Sequence, residues 1–326
     1  MQAPDFWQSN KRVALAALLS PLGWFYGLVT KTRLATTTAW ASPVPVICIG
    51  NLVTGGTGKT PLALDLAKRL QAKGRNVHFL SRGYGGQDKG PLRVEPEKHG
   101  FARVGDEPLL LAAQAPTWVS RERRAGCIAA AKAGADIIIM DDGFQNPYIK
   151  KDLSIIVIDG CYGFGNQKLI PAGPLREKIA DGLARAQAVV IIGEDRTGSI
   201  DLVSSYGHSP ISAYLVPGPV PGDIEGKPVV AFTGIGRPIK FFETITDLGC
   251  IVQKKIPFAD HHPYSKADIN HLRNTAKKEN ALLLSTEKDA MRLPITFLRE
   301  VTIVPINLEW DNEESIKTLL DKIDHV

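Results

Sequence analysis

The feature that most constrains the fold is the stretch GNLVTGGTGKTP, from Gly50 to Pro61. The apolar run VICI precedes it, and a segment with leucines on one helical face follows it over 60–73. A strand, a glycine-rich turn and a helix N-terminus in this order form a phosphate-binding loop. The strict pattern G-x-x-x-x-G-K-[ST] is not met, because Val53 stands where the first glycine belongs.

The altered loop keeps the groups that phosphate binding requires. Backbone N–H groups and the helix dipole surround phosphate oxygens, a lysine reaches the β- and γ-phosphates, and a hydroxyl holds Mg²⁺. We therefore predict a nucleotide site with Lys59 on the phosphates and Thr60 on the metal. Its loop residues are Thr54, Gly55, Gly56, Thr57, Gly58, Lys59 and Thr60.

Short apolar runs alternate with helical segments along the chain, which is typical of βαβ units around a largely parallel sheet. The runs VICI, IIIM, IIVI and VVII are continuous, as expected of strands covered on both faces. Between 195 and 226 the pattern gives way to Gly, Pro and Ser. We predict an N-terminal segment over 1–40, a P-loop core domain over 41–225 and a smaller α/β domain over 226–326.

The N-terminal segment is uncharged from Val13 to Thr30. Four interpretations are open: a membrane-spanning helix, a secretory signal cleaved near Ala41, a helical hairpin buried on the main domain, and a broken helix pair in the membrane interface. A signal sequence would export the protein away from ATP. Two cations flank the segment on each side, and they are Lys11, Arg12, Lys31 and Arg33.

We favour the interfacial interpretation. Pro21 and Gly23 interrupt a segment that is barely long enough to span a bilayer. In the interface, Trp24, Phe25 and Tyr26 would lie at headgroup level, and the cations would face anionic lipid.

Three further motifs carry residues of chemical interest. ADIIIMDDGFQ predicts a buried strand that ends in Asp141 and Asp142. One of these aspartates would bind Mg²⁺, and the alternative is a strand that ends in a simple turn. In GDEP, Asp106 reads from the residues alone as a helix cap. In DHHP, His261 and its neighbour point in different directions, so that a histidine paired with a distant carboxylate is favoured over a zinc site.

Composition adds little. The net charge is +5, without the Lys/Arg block that marks a nucleic-acid arm, and we expect no nucleic-acid partner. Four cysteines are scattered without a C-x-x-C pair, which is typical of buried thiols in a reducing compartment. In SRGYGG, Arg82 is placed for an anionic substrate, with a plain glycine turn as the alternative.

Eight motifs together carry a resemblance to a known family. They are GNLVTGGTGKTP, SRGYGG, VGDEP, MDDGFQ, PAGPLRE, AFTGIGRP, FADHHPYS and STEKDAMRL. In this order they resemble the tetraacyldisaccharide 4'-kinase family, which phosphorylates the lipid A precursor of Gram-negative bacteria. The resemblance covers nearly the whole chain.

The resemblance implies two Rossmann-like α/β domains, the first a P-loop kinase core, with a membrane-associating N-terminal helix. It implies transfer of the γ-phosphate of Mg-ATP to the 4'-hydroxyl of a tetraacyldisaccharide 1-phosphate, at the cytoplasmic face of the inner membrane. Asp106 would be the general base, supported by His261, with Lys59 on the phosphates. Metal would be held by Thr60, Asp141 and Asp142, and substrate by Arg82 and Gln145.

The chain departs from the family pattern after MDDGFQ. Asn146 stands where the family usually has histidine, and asparagine cannot carry a proton. We expect an altered local turn without loss of function.

Two other functions compete with the kinase. A GTPase-like or metallochaperone-like P-loop protein would need an [NT]-K-x-D tetrapeptide for guanine, and the chain offers only Thr286-Glu287-Lys288-Asp289, with the lysine one position late. A non-catalytic scaffold could bind nucleotide as a structural ligand alone.

Overall fold

The computed structural model describes residues 4–8 and 13–323. A 3₁₀ turn at Asp5–Trp7 precedes the α-helices in this part of the chain. The helices are α1 (Val13–Thr36), α2 (Lys59–Ala72), α3 (Phe101–Val104), α4 (Asp106–Ala112), α5 (Arg123–Lys132), α6 (Ile179–Leu183), α7 (Ser199–Ser205), α8 (Pro238–Asp247), α9 (Lys266–Lys278), α10 (Glu287–Ala290), α11 (Ile295–Leu298) and α12 (Glu313–Asp321).

The strands of the described residues form two separate sheets. The strands are β1 (Val46–Gly50), β2 (Val77–Ser81), β3 (Leu92–Arg93), β4 (Thr117–Val119), β5 (Ile137–Asp141), β6 (Leu153–Asp159), β7 (Ala188–Ile192), β8 (Ile211–Pro217), β9 (Pro228–Thr233), β10 (Ile251–Pro257), β11 (Leu282–Thr286), β12 (Val301–Val304) and β13 (Ile306–Trp310).

The larger sheet has nine strands in the order β13-β8-β7-β6-β1-β5-β2-β4-β3. Only its two outermost strands are antiparallel to their neighbours, β3 to β4 and β13 to β8. The order places β1 between β5 and β6, so the carboxyl ends of these three strands lie at one edge of the sheet. Ligands of open α/β sheets bind at such an edge.

The central strands are covered on both faces, as their continuous apolar runs predicted. Every residue of β1, β5, β6 and β7 is buried. One apolar cluster includes side chains of α2, α4 and α12, and another includes side chains of α5, α6 and α7. The predicted α/β class with a parallel core is confirmed.

The smaller sheet is entirely parallel, in the order β10-β9-β11-β12. Phe241, Phe242 and Ile245 of α8 pack in one apolar cluster, and Ile269 and Leu272 of α9 pack in another. Both clusters include residues of β9, so this sheet also has helices on both faces.

The C-terminal segment does not stay with the smaller sheet, contrary to the predicted unit over 226–326. β13 pairs with β8 in the larger sheet, and Ile316, Leu319 and Leu320 of α12 join the cluster that includes α2. The chain therefore leaves the larger sheet after β8 and returns to it at β13. A strand that pairs with a segment about 90 residues earlier leaves no local signal in the sequence.

The glycine- and proline-rich region over 195–226 is also more regular than the sequence predicted. It contains α7 and β8, and β8 pairs with both β7 and β13. The predicted boundary at 225 therefore stands after elements of the larger sheet that the sequence pattern did not show.

The N-terminal segment is one continuous helix, α1, and not a broken pair or a buried hairpin. Pro21 lies inside the helix and removes one backbone donor without ending it. Gly23 and Gly27 do not break the helix but permit close contact, since a Cβ on either would come within 2.9 Å of Leu169 atoms. The helix is long and apolar enough to cross a membrane, and 17% of its most apolar window is buried.

Replacing Ile316 with alanine tests the return of the C-terminus to the larger sheet. Ile316 is fully buried there, and an aliphatic-to-alanine change in a core costs about 2–5 kcal/mol of unfolding free energy. The exposed neighbour Lys317 is the control, and Lys317→Ala should change this free energy by less than about 0.5 kcal/mol. Urea unfolding followed by tryptophan fluorescence measures both, and equal midpoints would contradict the packing.

Candidate active site

The loop between β1 and α2 has the geometry of a phosphate-binding loop. Gly55 and Gly58 have φ angles of 117° and 91°, in the region that favours glycine. Gly58 is the residue before α2 and offers no capping side chain, which leaves the first N–H groups of the helix free for an anion. Val53 in place of the usual glycine is buried and forms a bridge with Leu175.

The segment PAGPLRE supports this loop from the side. The Thr54 N–H donates to the Pro174 carbonyl at 3.0 Å, and the Arg176 N–H donates to the Leu52 carbonyl at 2.8 Å. Asn51 donates from its side chain to Thr57 Oγ1 at 3.3 Å. The backbone of the loop is therefore held in place by hydrogen bonds outside the phosphate site.

β5 ends in the two predicted aspartates, and their surroundings differ. Asp141 is 2% exposed, and burial together with the nearby Glu107 carboxylate raises its pKa to about 7. Asp142 lies 3.7 Å from Lys59 Nζ and 3.0 Å from Arg176 Nη1. Burial raises the pKa of Asp142, but these two cations outweigh burial and lower it below its ordinary value.

Several polar atoms around the loop have no hydrogen-bond partner among the described residues. They include Asn51 Oδ1, Thr54 Oγ1 and Asp141 Oδ1. A buried carboxylate oxygen without a partner is costly unless a cation or a donor meets it. Together with the hydroxyl of Thr60, which is 5% exposed, Asp141 offers the oxygen ligands that Mg²⁺ prefers. The residues present therefore fit a magnesium ion.

Asp106 and His261 come together across the two sheets. Asp106 is the first residue of α4, and His261 lies in the loop after β10. The Nδ1 of His261 is 2.8 Å from Asp106 Oδ2 and 3.1 Å from Oδ1. The hydrogen bond with Asp106 raises the pKa of His261 above its ordinary value. Burial raises the pKa of Asp106, but His261, Lys288 and Arg292 outweigh burial and lower it.

A second charged pair lies beside the first. Lys288 Nζ is 2.6 Å from Glu107 Oε1, and Arg292 Nε is 3.4 Å from Asp106 Oδ2. Burial lowers the pKa of Lys288, but the carboxylates of Glu107 and Asp106 outweigh burial and raise it. Lys288 of α10 and two side chains from loops of the smaller sheet, His261 and Arg292, thus meet two carboxylates of α4.

The predicted substrate residues lie at the rim of this site. Arg82 is exposed and near the buried Arg123, whose pKa is lowered by burial and then by the charge of Arg82. In the same loop, the ring of Tyr84 lies 5.7 Å from that of His261. Gln145 donates from its amide to the Asn51 carbonyl at 2.8 Å, so its amide N–H groups hold the end of β1.

His262 points away from His261, as the sequence predicted. Its Nε2 lies 3.1 Å from Asp268, and its ring stacks on Phe258. Asn146 uses its side-chain oxygen to accept the Tyr148 N–H at 2.9 Å and so builds a local turn.

Sequence reasoning gave no role to several residues that the structure brings to the site. Arg176 of PAGPLRE reaches Asp142, and Lys288 and Arg292 of STEKDAMRL reach Glu107 and Asp106. The motifs were visible, but a charged side chain in a loop shows its partner only after folding. Asp289 of the same segment is buried against Thr233, which leaves it unsuited to guanine recognition.

A phosphate-binding loop beside a strand that ends in aspartates defines a P-loop nucleotide-binding protein with two α/β sheets. The model of the family Tetraacyldisaccharide-1-P 4'-kinase matches residues 15–324 of this chain. The chain therefore belongs to the tetraacyldisaccharide 4'-kinase family, a family of phosphotransferases, and the resemblance seen in the motifs is confirmed.

Individual relatives agree with this assignment. The tetraacyldisaccharide 4'-kinase of Rhodospirillum centenum is 51% identical over 325 residues, which cover 98% of this chain and 96% of the relative. That of Paramagnetospirillum magneticum is 50% identical over 323 residues, 99% of each chain. A crystal structure of LpxK from Aquifex aeolicus in complex with ATP superposes with a TM-score of 0.78 at 28% identity, covering 95% of this chain and 99% of the other.

Replacing Lys59 with alanine tests the phosphate-binding loop. MgATP should raise the melting temperature of the wild-type protein, because a ligand at about 100 times its Kd adds about 2.7 kcal/mol of stability. We expect Lys59→Ala to lose most of this shift, since the ammonium that reaches the phosphates is gone. Lys68→Ala, an exposed lysine of the same helix, should keep it. A larger shift with MgGTP than with MgATP would contradict the expected nucleotide.

Proposed function

We propose that the protein transfers the γ-phosphate of ATP to the 4'-hydroxyl of a tetraacyldisaccharide 1-phosphate, a precursor of lipid A. The observation that carries the proposal is the Asp106–His261 pair at 2.8 Å. The pair is near the phosphate-binding loop, because Lys288 and then Lys59 of that loop lower the pKa of Glu107, the residue after Asp106. Membership of the kinase family and the ATP complex of the Aquifex relative support it. A GTPase or metallochaperone is not favoured, because the relatives are named as kinases of one acceptor.

Asp106 and His261 act on the acceptor hydroxyl. Asp106 is anionic because His261, Lys288 and Arg292 lower its pKa, and it accepts the proton of the hydroxyl with His261 as its partner. The two residues come from different sheets, so the pair forms only when the cleft between them is closed. Closure also excludes water from the nucleotide.

Lys59 binds the β- and γ-phosphates, and the loop residues 54–60 surround them with N–H groups. Thr60 and Asp141 would hold Mg²⁺, with Asp142 beside them. The ion supplies charge stabilisation for the transferring phosphoryl group. Asp142 has a further role on this chain, because its contacts with Lys59 and Arg176 orient both cations toward the phosphate site.

Arg82 and Gln145 serve the acceptor side of the cleft in this proposal. Arg82 is exposed near Arg123 and so provides a cationic rim for the acceptor's phosphate. Gln145 lies where the body of the protein meets α1, since Arg33 of α1 donates to its carbonyl at 3.2 Å.

We further propose that α1 binds the cytoplasmic face of the bacterial inner membrane as a monotopic helix. Leu18, Leu22, Trp24 and Phe25 are 59–76% exposed, and each contributes about 1.5–3 kcal/mol when buried in an apolar medium. Of the four flanking cations, Lys31 pairs with Asp181 and Arg33 contacts Gln145, whereas Lys11 and Arg12 lie outside the described residues. The acceptor is itself a lipid, so a helix at the membrane places the cleft beside it.

Transfer of labelled γ-phosphate from ATP to detergent-solubilised tetraacyldisaccharide 1-phosphate tests the proposed reaction. We expect Asp106→Asn to lower kcat by about 10² to 10⁴-fold, the usual contribution of a positioned proton acceptor, and to keep the thermal shift by MgATP. The exposed Asp201→Asn is the matched control and should transfer at the wild-type rate. A folded, ATP-binding wild-type protein that transfers no phosphate would refute the function.

Removal of residues 1–35 tests the membrane role of α1. The truncated protein should no longer sediment with vesicles of phosphatidylethanolamine and phosphatidylglycerol, and it should still be stabilised by MgATP. A double variant, Leu18→Ser with Phe25→Ser, keeps the helix and its contact with Leu169, and it should sediment more weakly than the wild type. Sedimentation of the truncated chain at the wild-type level would place the membrane contact elsewhere.

A further inference from the structure

Arg292 lies at the centre of a buried polar network, and the proposed chemistry gives it only an electrostatic effect on Asp106. Its side chain is 1% exposed. Nη2 donates to the Asp289 carboxylate at 2.6 Å and to the Gly234 carbonyl at 3.0 Å, and Nη1 donates to the His262 carbonyl at 3.2 Å. Its remaining nitrogen, Nε, donates to the Lys288 carbonyl at 3.5 Å and lies 3.4 Å from Asp106 Oδ2, which is an ion-pair contact.

Asp289 fixes the orientation of this guanidinium. It is fully buried and accepts hydrogen bonds from Thr233 Oγ1 at 2.6 Å, from the Gly234 N–H at 2.9 Å and from the Tyr264 hydroxyl at 2.7 Å. A buried carboxylate with this many donors is held in one position. The hydrogen bond with Asp289 therefore fixes the orientation of the Arg292 guanidinium.

The carbonyls that Arg292 binds belong to the two segments that hold His261. The His261 N–H donates to the Gly234 carbonyl at 3.0 Å, and His262 is its neighbour in the chain. His261 itself has a φ angle of 56°, which a residue with a side chain adopts only when its surroundings enforce it. Arg292 therefore binds on both sides of a strained backbone position.

We propose that Arg292, oriented by Asp289, is a positioning residue for phosphoryl transfer: it holds the backbone around His261 and places a positive charge beside Asp106. The inference rests on the proposed function, because it assigns Arg292 to the reaction of the Asp106–His261 pair. The charged groups that face Asp106 are His261, Lys288 and Arg292, with the carboxylate of Glu107 next in the chain. Loss of Arg292 thus removes one of three positive neighbours.

Two variants separate the two parts of this role, which are the hold on the backbone around His261 and the positive charge beside Asp106. Arg292→Lys keeps a positive charge but cannot bind both carbonyls and Asp289 at once. We expect its kcat to fall about 10²-fold, as for a catalytic group displaced by about 1 Å, with the KM for ATP within about two-fold of wild type. Arg292→Gln should lose as much and should also move the acid limb of the kcat–pH profile to higher pH, because the pKa of Asp106 rises when a positive neighbour is removed.

The control is the exposed Arg299, seven residues along the chain, and Arg299→Lys should match the wild type in kcat and pH profile. A double-mutant cycle with His261→Ala gives the decisive comparison. If Arg292 acts through His261, then Arg292→Lys lowers kcat much less in the His261→Ala background than in the wild type. Of the two Arg292 variants, this cycle uses only Arg292→Lys. It therefore tests whether Arg292 acts through His261 even if Arg292→Gln does not fold.

The outcomes distinguish this inference from the proposed function. A wild-type protein without transfer refutes the function itself. A wild-type protein that transfers, together with a folded Arg292→Lys variant of unchanged kcat, or with fully additive losses in the cycle, shows that Arg292 is structural only. The thermal shift by MgATP reports that each variant is folded with its nucleotide site intact.

Discussion

The pairing of buried charges between α4 and the loops of the smaller sheet is the interaction on which the rest of the site depends. Asp106 and Glu107 meet His261, Lys288 and Arg292; Asp106 and Arg292 are buried, whereas the side chains of Glu107, Lys288 and His261 are 25–29% exposed. Removing one partner of such a set leaves a charge that is both buried and unpaired, which is far more costly than losing a surface ion pair. Asp106 and Arg292 are both buried, so the contact between the two sheets and the Asp106–His261 pair form together.

A second set of ion pairs holds the smaller sheet at another point. Asp159 at the end of β6 binds Arg237 and Lys240, each at 2.6 Å. In the order of the larger sheet, β6 lies on one side of β1, and β2, whose connection leads to α4, lies on the other. The smaller sheet is therefore anchored on both sides of the phosphate-binding loop. In the function that we propose, such a bridge would restrict water at the nucleotide, as phosphoryl transfer to an alcohol requires.

The sequence predicted the parts of this structure whose signals are local. The loop, the buried central strands and the two aspartates of β5 follow from short patterns, and the pairing of Asp106 with a histidine followed from the family resemblance. β8 and β13 were missed because β8 is only partly buried, β13 alternates in exposure, and the two strands pair over a long separation in the sequence. Pro21 suggested a break in α1, yet the other hydrogen bonds of a 24-residue helix are sufficient to continue it. Arg292 has no local signal for the role that we propose, since Gly234, His262 and Asp106 lie far from it in the sequence.

The loop between β6 and α6 connects α1 with the phosphate-binding loop. Leu169 of this loop packs against Gly23 and Gly27 of α1, and Arg176 near its end binds Asp142 and supports the P-loop backbone. Near the C-terminal end of α1, Arg33 donates to the carbonyl of Gln145, which lies in the segment after β5. The helix α1 therefore contacts loops next to the phosphate-binding loop at two points. In the function that we propose, the acceptor stays in the membrane and would approach the site at a fixed height and orientation, and these two contacts would supply that constraint.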